Sequence, residues 1–379
     1  MVLSYSRKSL MSVQFMCNVC AIFVVVPLFS FQEKRFLRRK TFLVYLSFVA
    51  VIMIASELET IYSIYLIQDF TLVHLVAVMG EICGVLIWST ALYQTCFKWH
   101  VWESLFTDIL SLEDVAQLNT IRTKERNVLK NPNFQLLLSL MIIIALLVYE
   151  RITFRGEEKK VFLFNTSYIY FFLHFILSTI IGNIALVLKN KFHDINGLLS
   201  SYEADQSTTL IKGTQKVKDL YSSMTDVVGR FNELFGPQLF LMGLHCSSQI
   251  LQWSVSLVYS MFTTKDDNVN DYARLAVGII YIFLMLIWLG ITMFCCDMAV
   301  LESEEIITIC YRIQLKYSVF SEAYQSIKNL LYLVTNTKIR FTAMDYYEIN
   351  RSTMFDLIGT TATYFVVLIQ FYDGNKKTS

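Results

Sequence analysis

Seven stretches of about 20 mostly apolar residues constrain this chain more than any other feature. They fall at about 42–66, 72–95, 134–154, 166–188, 238–262, 274–298 and 352–372. A helix rises about 1.5 Å per residue, so each is long enough to cross a hydrocarbon core of about 30 Å. Composition agrees: 17% of residues are charged, where soluble domains carry about 25%. The fold class expected is an all-α membrane protein with seven transmembrane helices. Only three prolines occur, and Pro132 and Pro237 stand just before the third and fifth stretches. Both are expected to mark helix starts, where the missing N–H is tolerated.

Lys and Arg set the expected orientation, because cytoplasmic loops of membrane proteins are enriched in them. Of the 32 in the chain, 24 lie in segments 1–41, 96–133, 189–237 and 299–351. With seven spans this places the N-terminus inside and the C-terminus outside, opposite to a G-protein-coupled receptor. Residues 1–41 form a cytoplasmic N-terminal segment. Within it the apolar run 14–31, interrupted by Pro27, is expected as an interfacial or re-entrant helix, with a full crossing as the alternative. No small-residue cleavage site follows that run, only Glu33-Lys34-Arg35. Residues 42–298 form a six-helix bundle, 299–351 a cytoplasmic anchor region, 352–372 the last span and 373–379 an extracellular tail. The inner loops are long and carry apolar residues at helical spacing, as at Leu220, Met224, Val227, Val228, Phe231 and Leu234. Spans four to six are therefore expected to continue as helices into the cytoplasm. The sequon at Asn165 lies in a predicted outer loop and is the expected glycosylation site.

Several function classes find no support. No P-loop, GxSxG or HExxH motif occurs, and the five histidines are scattered. Cys17 and Cys20 form a lone CxxC without a second pair at zinc spacing. No enzyme, cofactor, metal site or nucleic-acid partner is expected. A carrier would favour paired broken helices in two halves, which are not visible.

The last span carries one face, Asp356, Thr360, Thr363, Val367 and Gln370, that is polar except for Val367, with Phe371 beside it. An amide in a membrane helix is costly unless it meets a partner or water. This face either packs inside the chain, as small hydroxyl residues do in membrane helices, or lines a pore formed by several copies. In the second case Asp356 sits at the cytoplasmic mouth, where a ring of carboxylates favours cations, and Val367, Gln370 and Phe371 form a constriction near the outer end. A second polar set lies in the outer half of the other spans: Glu57, His74, Glu81, Tyr149, Tyr170, His174, Gln249, Gln252, Trp253 and Tyr281. Intramembrane Glu and His are costly and point to function. Together these residues are candidates for an outward-facing ligand pocket.

The run Thr363-Tyr364, five apolar residues, Gln370-Phe371, led by Tyr347-Glu348-Ile349-Asn350-Arg351-Ser352 and Gly359, resembles the C-terminal signature of the insect gustatory receptor family, within the insect chemoreceptor superfamily. Asn232-Glu233-Leu234-Phe235-Gly236 is similar to the family's N-x-x-F-G pattern. The resemblance implies a tastant-gated, non-selective cation channel in the plasma membrane of a sensory neuron, lipid-embedded and assembled as a homotetramer or with other gustatory receptors. It implies that Gln370 and Phe371 stand at the constriction, that the ligand enters a pocket among spans one to six, and that the inner loops form an anchor domain. Sugar receptors of the family carry an acidic residue where Phe365 stands, which tilts the expected ligand toward bitter or other non-sugar compounds. A metabotropic receptor, and an odorant-receptor-like subunit needing a co-receptor, are the alternatives.

Overall fold

The computed structural model describes residues 72–116, 166–204, 207–263 and 269–376, with isolated positions between 21 and 58 and between 141 and 148. Nearly all are helical. Helices α1 (Leu72–Phe97), α2 (Trp99–Ala116), α3 (Thr166–Ser201), α4 (Ser207–Thr263), α5 (Val269–Gln314), α6 (Glu322–Asn336) and α7 (Arg351–Lys376) are accompanied by two small antiparallel hairpins, one before α1 and one between α6 and α7. The first pairs β1 (Phe29–Ser30) with β2 (Arg35–Phe36). The second pairs β3 (Thr342–Ala343) with β4 (Tyr347–Glu348). The spans expected at 42–66 and 134–154 fall mostly outside the described residues, and their described positions are almost all helical.

Among the described residues, three helices are long and apolar enough to cross a membrane: Leu75–Phe97, Tyr170–Ser201 and Gly278–Gln314. The longest elements divide into two parts. α4 carries no Asp, Glu, Lys or Arg from Leu234 to Thr263, but seven such residues from Lys212 to Glu233. α5 is uncharged from Leu275 to Cys296 and carries Asp297, Glu302, Glu304, Glu305 and Arg312 beyond it. At 46 residues, α5 is about 70 Å long, more than twice a hydrocarbon core. The charged halves therefore extend past the apolar bundle.

The apolar halves are turned outward at helical spacing. On α1, Leu75, Met79, Ile82 and Leu86 are exposed; on α5, Ile279, Phe283, Ile287, Ile291 and Phe294 are exposed. Such stripes suit lipid and would be a liability in water. α4 packs against all six other helices, and α3 packs along α5. The Thr292 hydroxyl donates to the Ser178 carbonyl at 3.2 Å, and the Asn196 amide donates to the Glu302 carbonyl at 2.7 Å. Beyond them Glu203 receives Lys316 at 2.8 Å and Arg312 at 3.1 Å. Those two cations hold its carboxyl below the usual value, the Lys316 hydrogen bond contributing most.

Three expectations need correction. Pro237 does not begin a helix: it lies inside α4, which runs unbroken for 57 residues. Proline there removes the hydrogen bond to the Glu233 carbonyl. Phe231, Leu234, Phe235, Leu239 and Met242 are all buried around it, and that packing holds the helix together across the break. Of the helix expected over 14–31, Phe29–Ser30 instead form strand β1, and most of the remainder lies outside the described residues. The anchor region 299–351 is not helical throughout, because the β3–β4 hairpin interrupts it. Within it α5 continues to Gln314, and the separate helix α6 behaves as its sequence dictates. Ser321 caps it by accepting the Tyr324 N–H at 3.2 Å, and Ala323, Ile327, Leu330 and Val334 form one buried stripe.

Candidate functional site

Two groups of residues stand out. The first lies where α1 and α3 begin and the apolar half of α4 ends. His245, Gln249 and Trp253 follow one another at four-residue steps on α4, so they share a face. The Gln249 amide nitrogen donates to His245 Nε2 at 3.5 Å. The same amide lies against Gly80 of α1, where a Cβ would approach it to 2.9 Å. From α3, Tyr170 and His174 face His245 with ring centroids 6.5 and 6.0 Å away. The Tyr170 ring crosses α1 at Gly84, where a Cβ would come within 2.4 Å of it; only glycine leaves room there. Next to this group Trp253 stands 6.4 Å from Tyr281, and Tyr281 stacks near Phe171 at 4.2 Å.

Tyr170, His174, His245 and Gln249 are all buried. Among the described residues, the Tyr170 hydroxyl, both His174 nitrogens, His245 Nδ1 and Trp253 Nε1 find no hydrogen-bond partner. Buried polar groups are nearly always paired, and one left unpaired costs about 1–3 kcal/mol. A cluster of such groups marks a place for a hydrogen-bonding guest, whether water or ligand. The set offers donors from tyrosine, histidine and tryptophan, and acceptors from tyrosine and histidine.

The sequence-based pocket is thus brought together in part. Tyr170, His174, Gln249, Trp253 and Tyr281 gather here, and Gln252 and half-buried Glu81 lie on the adjoining faces of α4 and α1. Glu57, Tyr149 and Asn165 lie outside the described residues, as does the side chain of His74. His245 was missed. Stepping back four residues from Gln249 would have found it, since that step stays on one helix face.

The second group is on α7. Asn350 caps this helix by accepting the Thr353 N–H at 2.9 Å and the Thr353 hydroxyl at 3.0 Å. Arg351 then binds Asp297 of α5 at 2.5 Å and covers the Phe294 ring at 4.7 Å. α7 packs on α4 and α5 through Met354, Leu357, Ile358, Thr361, Phe365 and Ile369, all half-buried or buried. Asp356, Thr360, Thr363, Val367 and Gln370 are exposed. The Thr363 hydroxyl donates only to its own helix, to the Gly359 carbonyl at 2.9 Å. The Phe371 side chain lies outside the described residues. Among the described residues, none covers this polar face.

Comparison with known proteins accords with this architecture. The olfactory receptor OR5 of the insect Machilis hrabei, in complex with eugenol, superposes with a TM-score of 0.61 at 10% identity, over 96% of this chain and 98% of that one. A second structure of the same receptor gives a TM-score of 0.67 at 12% identity, over 97% and 99%. These likenesses show a shared fold. No curated protein sequence matches. The family model described as 7tm chemosensory receptor matches residues 13–375, nearly the whole chain. The chain accordingly belongs to the 7tm chemosensory receptor family, within the insect chemoreceptor superfamily, a class of receptors and not of enzymes.

Proposed function

We propose that this protein is a gustatory receptor: a tastant-gated, non-selective cation channel of a sensory-neuron plasma membrane. Four copies surround one pore, as a homotetramer or with other gustatory receptors. The observation that carries the reading is the last helix. Its polar face, Asp356 to Gln370, is exposed while the opposite face packs on α4 and α5. An exposed polar stripe along about 20 Å of a membrane helix needs water or other copies of the chain against it. Asp356 then concentrates cations at the inner mouth, and Val367, Gln370 and Phe371 narrow the outer end.

The ligand site in this reading is the cluster of Tyr170, His174, His245, Gln249 and Trp253. Its neutral donors and acceptors beside aromatic rings suit a small molecule with both apolar and hydroxyl or carbonyl groups. A non-sugar compound is favoured, because Phe365 replaces the acidic residue of sugar receptors. A tastant opens the channel only insofar as it binds the open arrangement more tightly than the closed one. Eugenol is bound by the Machilis hrabei receptor, and an aromatic phenol belongs in the first panel. The test is expression of the chain alone, with a tastant panel applied to excised patches lacking nucleotides. Agonist-evoked cation current is expected. Responses that need a G protein or an odorant-receptor-type co-receptor, or substrate uptake without unitary current, would each refute it, whereas a need for a second gustatory receptor would select the heteromer.

A further inference from the structure

The N-x-x-F-G stretch of α4 has no role in the ligand cluster or the pore face, yet it contacts the segment that launches α7. The Asn232 amide donates to the Arg340 carbonyl at 2.8 Å, and Asn232 Oδ1 accepts the Thr342 N–H at 3.1 Å. A carbonyl and an N–H two residues apart are what a parallel neighbour strand pairs with, so the side-chain amide acts as one residue of such a strand, opposite Phe341. The other edge is closed from within the hairpin, where the Ile349 N–H donates to the Phe341 carbonyl at 2.8 Å. Phe341 itself is buried edge-on against Phe231 at 4.9 Å.

Gly236 sits one turn further on. A Cβ there would meet both the Thr342 carbonyl and the Met344 nitrogen at 3.1 Å, so glycine permits the turn backbone to lie against the helix. That turn is strained. Met344 and Asp345 have φ of 54° and 59°, a left-handed conformation that aspartate tolerates and methionine rarely adopts. It is retained because surrounding contacts over-determine it. The Thr342 hydroxyl donates to Asp345 Oδ1 at 2.9 Å, and Arg340 pairs with Glu348 at 2.8 Å. Tyr346 stacks on Phe240 at 5.3 Å, and the Tyr347 hydroxyl donates to the Leu239 carbonyl at 3.4 Å. Three residues after the hairpin, α7 begins.

We infer that Asn232, with Gly236, is a positioning residue for the pore helix: its side-chain amide completes a strand edge that fixes where and in which direction α7 starts. The clamp lies 13 residues, about 20 Å, from His245 on the same continuous helix. α4 thus bears the ligand cluster toward one end and holds the root of α7 further along, so a shift of α4 is delivered to α7 as a rigid displacement. This part rests on the reading of α7 as the pore helix.

The experiment uses the full chain, purified for amide hydrogen exchange and expressed in cells for resting cation conductance normalised to surface protein. Asn232→Ala is expected to raise exchange about five- to thirtyfold across residues 340–357, with α1, α3 and α5 unchanged, and to change the resting conductance. Asn232→Asp keeps the acceptor for the Thr342 N–H and loses the donor, so it is expected to fall between. Unchanged exchange at 340–357 would overturn the inference. So would raised exchange throughout the protein, which would make Asn232 a general fold residue. Gln370→Ala separates the two readings. If it alters conductance and Asn232→Ala does not, the positioning role is wrong; if neither does, the pore reading is what fails.

Discussion

Tyr170→Phe sets stability against sensitivity. The hydroxyl is buried, with the residue only 2% exposed, and has no partner among the described residues. Leaving such a group unpaired costs about 1–3 kcal/mol, whereas replacing it by an apolar group of the same shape is neutral or favourable. Phe keeps the ring that crosses Gly84 and faces His245, so packing is preserved. The unliganded receptor should therefore melt at the same temperature or higher. The tastant, in contrast, loses a hydrogen bond made inside a dry site. At about 1.4 kcal/mol per tenfold change, a loss of 1–3 kcal/mol moves the half-activating concentration up about five- to 150-fold. The assay is thermal unfolding of the purified protein together with a concentration–response curve of cation current. A lower melting temperature would mean that the hydroxyl is already paired in the resting receptor. An unchanged half-activating concentration would mean that it does not touch the ligand. Either result refutes the reasoning.

Three further outcomes are expected. Gly84→Val places methyl groups where a Cβ already falls 2.4 Å from the Tyr170 ring; overpacking of this kind costs about 1–3 kcal/mol, measured as a loss of surface receptor or melting temperature. Asp356→Asn removes the carboxylate at the inner mouth and should lower unitary cation conductance without changing the half-activating concentration, as recorded in single-channel patches. Glu203 has a carboxyl held below its ordinary value by Lys316 and Arg312, so it stabilises the folded state above about pH 4.5. That stability is lost as pH falls through the lowered value, and Glu203→Gln should remove this part of the acid dependence of unfolding.

Much of the fold was legible because membrane insertion writes itself into sequence. Uncharged runs such as Leu275–Cys296 admit few other readings, and the stripe Leu220 to Leu234 repeats at helical spacing. The β3–β4 hairpin left a fainter trace. Ile339, Phe341 and Ala343 are buried while Arg340 between them is exposed, an alternation of period two. It is five residues long and sits in a region of helical periodicity, and its turn uses Met344 and Asp345 where glycine or asparagine would have signalled a hairpin. Pro237 misled for a related reason. Proline reports a local cost, and burial of Phe231, Phe235 and Leu239 around it is a tertiary gain that the local sequence does not display.

By itself, then, the sequence determined that the chain is a bundle of membrane helices, which halves of α4 and α5 are apolar, and which face of the last helix is polar. These follow from solvation and helical periodicity, properties of residues and their immediate neighbours. Only the tertiary structure decided that Tyr170 and His174 of α3 converge with His245 and Gln249 of α4, and that Asn232 reaches 110 residues along the chain to Thr342. Only it decided, too, that Asp356, Thr360, Thr363 and Gln370 stay exposed while Thr361 is buried. Those outcomes depend on how separate helices rotate and register against one another. A helical wheel leaves that undetermined, because it gives a face its chemistry but not its neighbour.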